Sequence, residues 1–222
     1  MLEKDIFKRC NPCYDKLLSY GFKYNGDNKY IFEKLIIDDT FLIKIFVDNS
    51  SVVGKVVDLD AECEYTNFRI ENNGVFAGKV RNKFEELLID IRDNCFEKKL
   101  FISNQANRIG LLIKEKYGDF PYYEWESTPD TGVFKNAITN KWYAIIMNVK
   151  RSKLSVGDDL VDVLNVKIDP SKIVELLNFI GYYPAYHMNK KYWISIILDE
   201  SISDGDIMNL IDESYFYSSI KK

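Results

Sequence analysis

The chain has 222 residues, 46% of them hydrophobic and 29% charged, with 30 Lys and Arg against 34 Asp and Glu and a net charge of −4. This composition is typical of a globular protein with one large domain or two small ones, and it excludes a disordered or fibrous chain. Dedicated nucleic-acid binders usually carry a basic balance, because their affinity comes largely from neutralising phosphates. A nucleic-acid site in this chain must therefore be a local basic patch.

No segment of the sequence has the character of a membrane-spanning helix. The longest stretch free of Asp, Glu, Lys and Arg covers residues 176–189 and contains Gly181 and Pro184, whereas a span needs about 20 apolar residues. Residues 1–9 alternate charged and apolar side chains and lack the apolar core of a secretion signal. We therefore expect a cytoplasmic protein of bacterial type, with no membrane partner.

The first half of the chain predicts a helix, a sheet and a second helix. Apolar residues at helical spacing indicate a helix over residues 5–20, with Gly21 as its C-cap. A second amphipathic helix is predicted over residues 80–95. Between the two helices, β-branched and aromatic runs predict the strands of antiparallel hairpins over residues 30–37, 41–47 and 52–57.

The four cysteines do not indicate a disulfide framework. A cytosolic chain would keep them reduced, and only Cys10 and Cys13 lie at a suggestive spacing. With Asn11 as N-cap and Pro12 as the first helical residue, Cys13 would lie at a helix N-terminus, where a thiolate is favoured. No strand precedes this motif as a thioredoxin-like unit requires, so we expect two structural cysteines.

The second half of the chain predicts another α+β layer. Three helix starts combine an N-cap with a following apolar period, at Ser103, at Asp169 before Pro170, and at Ser203 with Asp206. The helix after Asp169 is expected to reach Ile180. Strands are predicted over residues 122–125, 133–134, 142–149, 160–166 and 192–198. The predicted fold class is therefore α+β, with antiparallel sheets covered by helices in two domains, residues 1–97 and 101–220.

The sequence contains no recognisable catalytic constellation. It lacks a Gly-rich phosphate loop, and its single histidine, His187, is not accompanied by a nucleophile motif. Pairs of acidic residues such as Asp38 and Asp39 are typical of solvated turns. We therefore expect a protein that is not an enzyme and that needs no cofactor.

Two local groups of cations could contact phosphates. One lies in a predicted loop after a strand, and the other lies at the start of a later strand. Charged loop tips are usually solvated, but as a wing against a DNA backbone such a loop would explain local positive charge on an acidic protein. The candidate nucleic-acid-binding residues are Lys150, Arg151, Lys153, Lys190 and Lys191.

An aromatic run at residues 182–193 combines tyrosines, an amide, a histidine and two lysines on a connection between a helix and a strand. The triplets at 141–143 and 191–193 each place a lysine before two aromatic residues. This repeated triplet has two interpretations. Aromatic residues prefer strands, or the two triplets form a face on which bases stack. The candidate cleft residues are Lys141, Trp142, Tyr186, His187, Asn189 and Trp193.

The order of motifs over residues 101–220 resembles the MmcQ/YjbR family of bacterial proteins. The motifs are P-Y-Y-E-W at 121–125, P-D-x-G-V-F at 129–134, K-W-Y-A-I-I-M at 141–147, V-L-N-V-K at 163–167, P-A-Y-H-M-N-K-K-x-W at 184–193 and L-I-D-x-S-Y at 210–215. The resemblance implies a CyaY-like fold, related to the frataxin-like α+β sandwich, and a DNA-binding role through a double wing. The extra 100 or so N-terminal residues resemble those of the longer clostridial-type members.

The relation to the frataxin-like fold also implies an iron-binding site, which would need an acidic first helix in the domain. The predicted helix over residues 103–117 offers only Glu115 as an oxygen ligand, so we expect no metal site. Two functions stay open. One is a DNA-binding module that uses the two cation groups, and the other is a protein-interaction or small-ligand module that uses the aromatic cleft around His187.

Overall fold

The computed structural model describes residues 2–49, 51–70, 74–155 and 157–220. The chain divides into two compact units, residues 1–99 and 100–222. Each unit has its own buried apolar cluster. That residues 1–97 and 101–220 are separate domains stays a prediction.

The N-terminal unit is built, within its described residues, from three α-helices and seven strands. The helices are α1 (Leu2–Ile6), α2 (Tyr14–Tyr20) and α3 (Val75–Cys95). The strands are β1 (Cys10–Pro12), β2 (Lys23–Tyr24), β3 (Tyr30–Ile36), β4 (Phe41–Val47), β5 (Val52–Asp58), β6 (Cys63–Glu64) and β7 (Phe96–Lys98). Strands β2 to β6 form an antiparallel sheet in chain order, and β1 pairs with β7.

The core of the N-terminal unit lies between this sheet and α3. Strand β4 buries every second residue, and α3 buries residues three and four apart, as the two periods require. The shared cluster includes Phe41, Ile43, Ile45 and Val47 of β4 with Val80, Phe84, Leu88 and Ile91 of α3. The predicted hairpins and the second predicted helix are confirmed, and α3 begins five residues earlier than predicted, at Val75.

The buried carboxylate of Glu3 in α1 forms an ion pair with Arg69, at the end of a short 3-10 helix (Asn67–Arg69), and a hydrogen bond with Gly54 of β5. The Glu3 carboxylate is 2% exposed and accepts hydrogen bonds from the Arg69 guanidinium at 2.8 and 3.2 Å and from the Gly54 amide at 3.1 Å. Burial opposes ionisation of Glu3, but these hydrogen bonds outweigh it and lower its pKa. Glycine is required at position 54, because a Cβ there would lie 2.3 Å from Cζ of Phe84.

The prediction of one helix over residues 5–20 is wrong. The chain leaves α1 after Ile6, Arg9 adopts a left-handed φ of 59°, and residues 10–12 pair as β1 with β7. This pairing joins segments more than 80 residues apart, so the local helical spacing could not reveal it. Pro12 therefore lies in a strand, and Cys13 is the N-cap of α2 without a side-chain hydrogen bond.

The environment of the cysteines does not favour a thiolate at Cys10. Burial is the largest influence on Cys10 and raises its pKa above the usual value. Burial likewise raises the pKa of Cys95 to about 11. Both thiols are therefore held in the protonated, weakly reactive form. The structural role expected for Cys10 and Cys13 stays a prediction.

The C-terminal unit contains, within its described residues, three α-helices and one five-stranded sheet. In chain order the elements are α4 (Asn104–Tyr117), β8 (Gly132–Lys135), β9 (Trp142–Lys150), β10 (Leu160–Lys167), α5 (Pro170–Leu176), β11 (Tyr182–Pro184), β12 (Trp193–Ile197) and α6 (Asp204–Ser219). The strand order is β11, β12, β10, β9 and β8, and all neighbours are antiparallel. The predicted α+β class is confirmed.

All three predicted N-caps of the C-terminal unit are present. Ser103 Oγ accepts a hydrogen bond from the Ala106 amide at 3.1 Å, and Ser203 Oγ accepts one from the Asp206 amide at 3.1 Å. The Asp169 carboxylate accepts a hydrogen bond from the Ser171 amide at 2.9 Å. Each cap satisfies one backbone donor that has no partner inside its helix.

The sheet of the C-terminal unit has two unlike faces. One face packs on the helices in a cluster that includes Ile109, Ile113, Ala144, Ile146, Leu164, Ile196, Ile207 and Ile211. The other face carries a second cluster of Val133, Ile145, Met147, Val161, Val163 and Ile197. Within the described chain this second cluster includes no helical residue. We call it the open face of the sheet.

Three predicted boundaries in this unit are wrong. Residues 122–125 form no strand, only a single bridge between Tyr122 and Val133. Helix α5 ends at Leu176 and does not reach Ile180, which is 87% exposed and has no apolar surface to hold it. The run 182–193 is not wholly a connection, because Tyr182–Pro184 pairs with β12 as an edge strand, a position that proline tolerates.

No helix within the described ranges combines the length and the apolar character needed to cross a membrane.

Candidate functional site

An apolar cleft of ≈ 300 Å³ lies on the open face of the C-terminal sheet. Strand β9 contributes its outward side chains, and the segments before β8 and after β11 contribute the rest. The lining residues are Trp125, Thr128, Thr131, Trp142, Ile145, Met147, Asn148, Val149, Tyr186, His187 and Met188. The lining contains no Asp, Glu, Lys or Arg, so a charged group inside the cleft would find no ion-pair partner among the lining residues.

A β-bulge turns Trp142 toward the cleft. The pairing of β8 with β9 shifts register between Phe134 and Lys135, which lie opposite Ala144 and Trp142. The extra residue in β9 is Tyr143, which is buried on the helix face of the sheet, whereas Trp142 packs with the cluster on the open face. Bulges commonly redirect a side chain in this way.

The two tryptophans of the cleft contact each other. The rings of Trp125 and Trp142 have centroids 5.8 Å apart and planes at 88°, an edge-to-face geometry. Such pairs are favourable by about 0.5–1.5 kcal/mol beyond the area that they bury. This contact helps to hold the irregular segment before β8 against the sheet.

A buried polar network fixes the segment after β11. The Asn165 amide donates to the Tyr186 carbonyl at 2.8 Å, and the Tyr186 amide donates to Ser195 Oγ at 2.8 Å. The Ser195 hydroxyl in turn donates to Asn165 Oδ1. Asn165 and Ser195 are opposite each other on β10 and β12 and are fully buried. Because a broken bond would leave buried polar groups unpaired, the network holds the Tyr186 backbone in place.

His187 occupies an exposed position at the edge of the cleft. Its backbone is left-handed, with a φ of 56°, a conformation that costs a non-glycine residue about 1–3 kcal/mol and that occurs often at functional sites. Its ring lies 4.0 Å from the ring of Tyr186 between centroids. The network on Tyr186 therefore also determines where the imidazole lies.

The structure brings together half of the predicted cleft residues. Trp142, Tyr186 and His187 line the cleft. The Lys141 amine instead donates to the carbonyl of Ile220. The two other predicted residues, Asn189 and Trp193, are not among its lining residues: Asn189 Oδ1 accepts from the Lys191 amide at 3.0 Å, and Trp193 begins β12 opposite Lys167.

Sequence reasoning missed several residues of the cleft. Trp125, Thr128 and Thr131 come from an irregular segment, whereas the sequence predicts a strand over its first part, residues 122–125. Their proximity to β9 depends on the bulge and on the path of this segment, neither of which has a local sequence signal. The network residues Asn165 and Ser195 lie inside predicted strands and were not predicted as site residues. A polar residue at a strand position that is expected to be buried does indicate a hydrogen-bonded network.

Arg151 of the first cation group is bound by carboxylates. Its guanidinium contacts Asp159 at 3.0 Å and Asp199 at 3.0 Å. The hydrogen bonds that Arg151 donates to Asp199 and Asp159 raise its pKa. Partial burial opposes ionisation of Asp199, but hydrogen bonds from Ser201 and Arg151 outweigh it and lower its pKa. A phosphate would have to compete with both carboxylates for this guanidinium.

The four lysines of the two cation groups are exposed, and none forms an ion pair with another described residue. Lys150 lies opposite Leu160 at one end of β10, whereas Lys190 and Lys191 precede Trp193, which lies opposite Lys167 at the other end. At about 3.4 Å per residue these ends are roughly 24 Å apart. The two groups therefore lie at opposite ends of the sheet. Their role in binding nucleic acid stays a prediction.

The described ranges hold no group of three His, Cys, Asp or Glu side chains that could bind a metal ion.

The C-terminal unit thus belongs to the class of α+β domains in which helices cover one face of an antiparallel sheet and the other face carries a small cleft. The family model YjbR matches residues 114–216. Over 104 residues the chain is 41% identical to the uncharacterized protein YyaQ of Bacillus subtilis. This match covers 46% of this chain and 88% of YyaQ. The chain belongs to the YjbR family, as its motifs predicted.

Two further comparisons agree with this assignment. The chain is 33% identical over 102 residues to the uncharacterized protein YbdF of Escherichia coli O157:H7. This match covers 44% of this chain and 73% of YbdF. A crystal structure of a protein from Pseudomonas syringae has a TM-score of 0.50 and 34% identity, and the match covers 52% of this chain and 98% of that chain. The N-terminal unit, which lies before residue 114, is the extra region of a longer form.

Proposed function

We propose that the C-terminal unit is a binding module, without catalytic activity, that holds a small, uncharged ligand with apolar faces in the cleft around Trp142, Tyr186 and His187. The observation that carries this proposal is the convergence of three chain segments on one concave apolar surface of ≈ 300 Å³. Sites for small molecules begin at about this volume and combine apolar walls with a few polar groups.

The composition of the cleft supports the proposal. Trp125, Trp142 and Tyr186 offer aromatic faces with polar tips, and Met147 and Met188 offer flexible, polarisable side chains that adapt to the shape of a ligand. The network of Asn165 and Ser195 holds one side of the cleft before any ligand arrives. A preformed site binds more tightly, because less free energy is lost in ordering its side chains and loops when the ligand binds.

The methyl groups of methionine give a direct test. The chain has four methionines, of which Met147 and Met188 line the cleft and Met208 packs against the helix-side core. In a protein labelled with ¹³C at the methionine methyls, we expect neutral aromatic and aliphatic fragments to shift the NMR signals of Met147 and Met188 and to leave that of Met208 in place.

The control for this experiment is the variant Asn165→Ala, which removes two hydrogen bonds of the network. In this variant we expect weaker fragment shifts at Met188 than at Met147, because Met188 belongs to the released segment. A fragment library that shifts none of the methyl signals, or that shifts Met208 as strongly as the other two, contradicts the proposed site.

Duplex DNA is the second candidate ligand, at a separate surface. It is favoured by the exposed amines of Lys150, Lys153, Lys190 and Lys191, which form no ion pair with another described residue, and by the double-wing role that the family resemblance implies. The net charge of −4 and the ion pairs of Arg151 weaken this candidate. Phosphate contacts would position the protein on DNA without reading its sequence.

The salt dependence of binding tests the DNA candidate. If the four lysines each neutralise a phosphate, the logarithm of the association constant falls against the logarithm of salt concentration with a slope of about −3.6. Replacing Lys150 and Lys153 by Ala then reduces the slope by about 1.8. The measurement is a titration of a labelled duplex at several salt concentrations. Equal slopes for both proteins, or no binding at low salt, exclude this mode.

A further inference from the structure

The cleft is lined by polar groups that lack protein partners, and we infer from them that its ligand is an uncharged heteroaromatic ring of the nucleobase class, either in a free nucleoside or as an unpaired base of a single strand. This inference rests on the proposed function and specifies its ligand. It differs from duplex binding, because a base in a duplex has its faces covered by stacking and its edge paired.

Seven side-chain groups that line the cleft have no hydrogen-bond partner among the described residues. No described residue forms a hydrogen bond with any of them. At the same time, no fully buried side-chain nitrogen or oxygen of the described residues is left unpaired, so each of these groups reaches solvent. They are the indole N–H groups of Trp125 and Trp142, the hydroxyls of Thr128, Thr131 and Tyr186, the imidazole of His187 and Oδ1 of Asn148.

Thr131 carries the most weight among these groups. The residue is only 8% exposed, yet its hydroxyl has no hydrogen-bond partner among the described residues and it lines the cleft. This hydroxyl reaches solvent only through the cleft. A ligand that covers it must present a donor or an acceptor, because hydroxyl groups cut off from solvent in proteins are nearly always hydrogen-bonded.

The lining excludes a ligand with a strong charge inside the cleft. No carboxylate, ammonium or guanidinium lies among the eleven lining residues, and a buried charge without a partner is costly. The ligand portion inside the cleft must therefore combine apolar faces with a neutral hydrogen-bonding edge. Both a heteroaromatic ring and a sugar satisfy this requirement.

The sulfur atoms favour the aromatic ring. Met147 and Met188 both line the cleft, and thioethers form favourable contacts with aromatic rings, worth about 0.3–1.5 kcal/mol each. Aromatic side chains such as Trp142 and Tyr186 add stacking surface, which binds every base because every base has a π-face. A nucleobase is the common biological ring that presents donors and acceptors along one edge.

Two sources of such a ring remain distinct. Lys190 and Lys191 are exposed and follow the cleft residues His187 and Met188 closely in the chain. Their amines could bind the phosphates of a strand whose base occupies the cleft. A free nucleoside would leave them without a role.

The test uses the full chain, isothermal titration calorimetry and tryptophan fluorescence. The chain has three tryptophans, and two of them line the cleft. In the variant Trp193→Phe the fluorescence therefore reports only Trp125 and Trp142. We expect at least one of adenosine, guanosine, cytidine and thymidine to bind and to quench this emission, while glucose and cyclohexanol bind at least tenfold more weakly.

The variant Thr131→Val keeps the shape of the side chain and removes its hydroxyl. We expect it to weaken binding of the nucleoside roughly two- to twelvefold, the loss of one neutral hydrogen bond. The matched control is Thr66→Val, which alters an exposed threonine of the N-terminal unit and should leave binding unchanged. Equal affinity of Thr131→Val and the wild type overturns the inference.

Oligonucleotides separate the two sources. A short oligothymidylate that binds at least tenfold more tightly than thymidine, with the gain abolished in Lys190→Ala/Lys191→Ala and in an abasic strand, assigns the base to a single strand. Equal affinities assign it to a free nucleoside. If neither nucleosides nor strands bind while neutral fragments still shift the methyl signals of Met147 and Met188, the nucleobase class is wrong but the binding module stands. If nothing shifts those signals, both proposals fail.

Discussion

We expect the variant Asp162→Ala to lower the free energy of unfolding of the C-terminal unit by about 3–5 kcal/mol, because it removes three hydrogen bonds to a buried carboxylate. The Asp162 side chain is 2% exposed, and its carboxylate accepts hydrogen bonds from the amides of Ile102 and Ser103 at 3.1 and 2.6 Å and from Asn148 at 2.9 Å. A hydrogen bond to a charged group contributes about 1.5–3 kcal/mol. Removing the carboxylate leaves three donors unpaired, and entry of water recovers part of the loss.

Tryptophan fluorescence during urea unfolding measures this effect selectively, because all three tryptophans belong to the C-terminal unit. The matched control is Asp162→Asn. Its single amide oxygen can still accept from both backbone amides, and Asn148 can turn its own oxygen toward the new NH₂ group, so we expect less than half the loss. A loss below about 1 kcal/mol for Asp162→Ala, or equal losses for both variants, contradicts the assigned role.

The variant Gly54→Ala destabilises the N-terminal unit by about 1–3 kcal/mol, the usual cost of overpacking a core. A Cβ at position 54 would lie 2.3 and 2.5 Å from two ring atoms of Phe84 and 3.0 Å from Cδ1 of Ile45. Both side chains are fully buried, so neither can move aside freely. The shift would also disturb the hydrogen bonds of the Gly54 backbone with Glu3 and Arg69.

Hydrogen–deuterium exchange of the amides in β4 and α3 measures this effect, because the N-terminal unit contains no tryptophan. The control is Gly78→Ala in α3, where a Cβ meets no atom within 4 Å. We expect this control to stabilise the unit by up to about 1 kcal/mol. In the double variant Gly54→Ala/Phe84→Leu the smaller side chain should relieve part of the Gly54→Ala loss. Full additivity would show that the contact with Phe84 is not the cause.

The features that the sequence predicted correctly depend on neighbouring residues. The N-caps at Ser103, Asp169 and Ser203 act within three residues, and the alternation in β4 reflects one sheet face over seven residues. These signals do not need the rest of the fold. Family motifs extended the prediction to the C-terminal unit, because their spacing encodes contacts that no single window contains.

The features that the sequence did not predict depend on distant contacts. Strand β1 exists only because β7 pairs with it. Arg151 was assigned to a phosphate surface, but its guanidinium contacts Asp199, 48 residues later. Trp125 reaches the cleft through a path with no regular structure. In each case the decisive partner lies outside the range over which a local pattern can be recognised.

The hydrogen bonds on Tyr186 have a consequence for when the cleft exists. Asn165 belongs to β10 and Ser195 to β12, and β12 lies between β10 and β11 in the sheet. The side of the cleft that carries His187 therefore forms only after the last strand of the sheet has docked. A ligand of the cleft therefore binds the completed fold and not a partly assembled form. By mass action such a ligand raises the free energy of unfolding of the unit, by about 2.7 kcal/mol at a ligand concentration of one hundred times Kd. Resistance of the unit to proteolysis in the cell would accordingly rise and fall with the supply of the ligand.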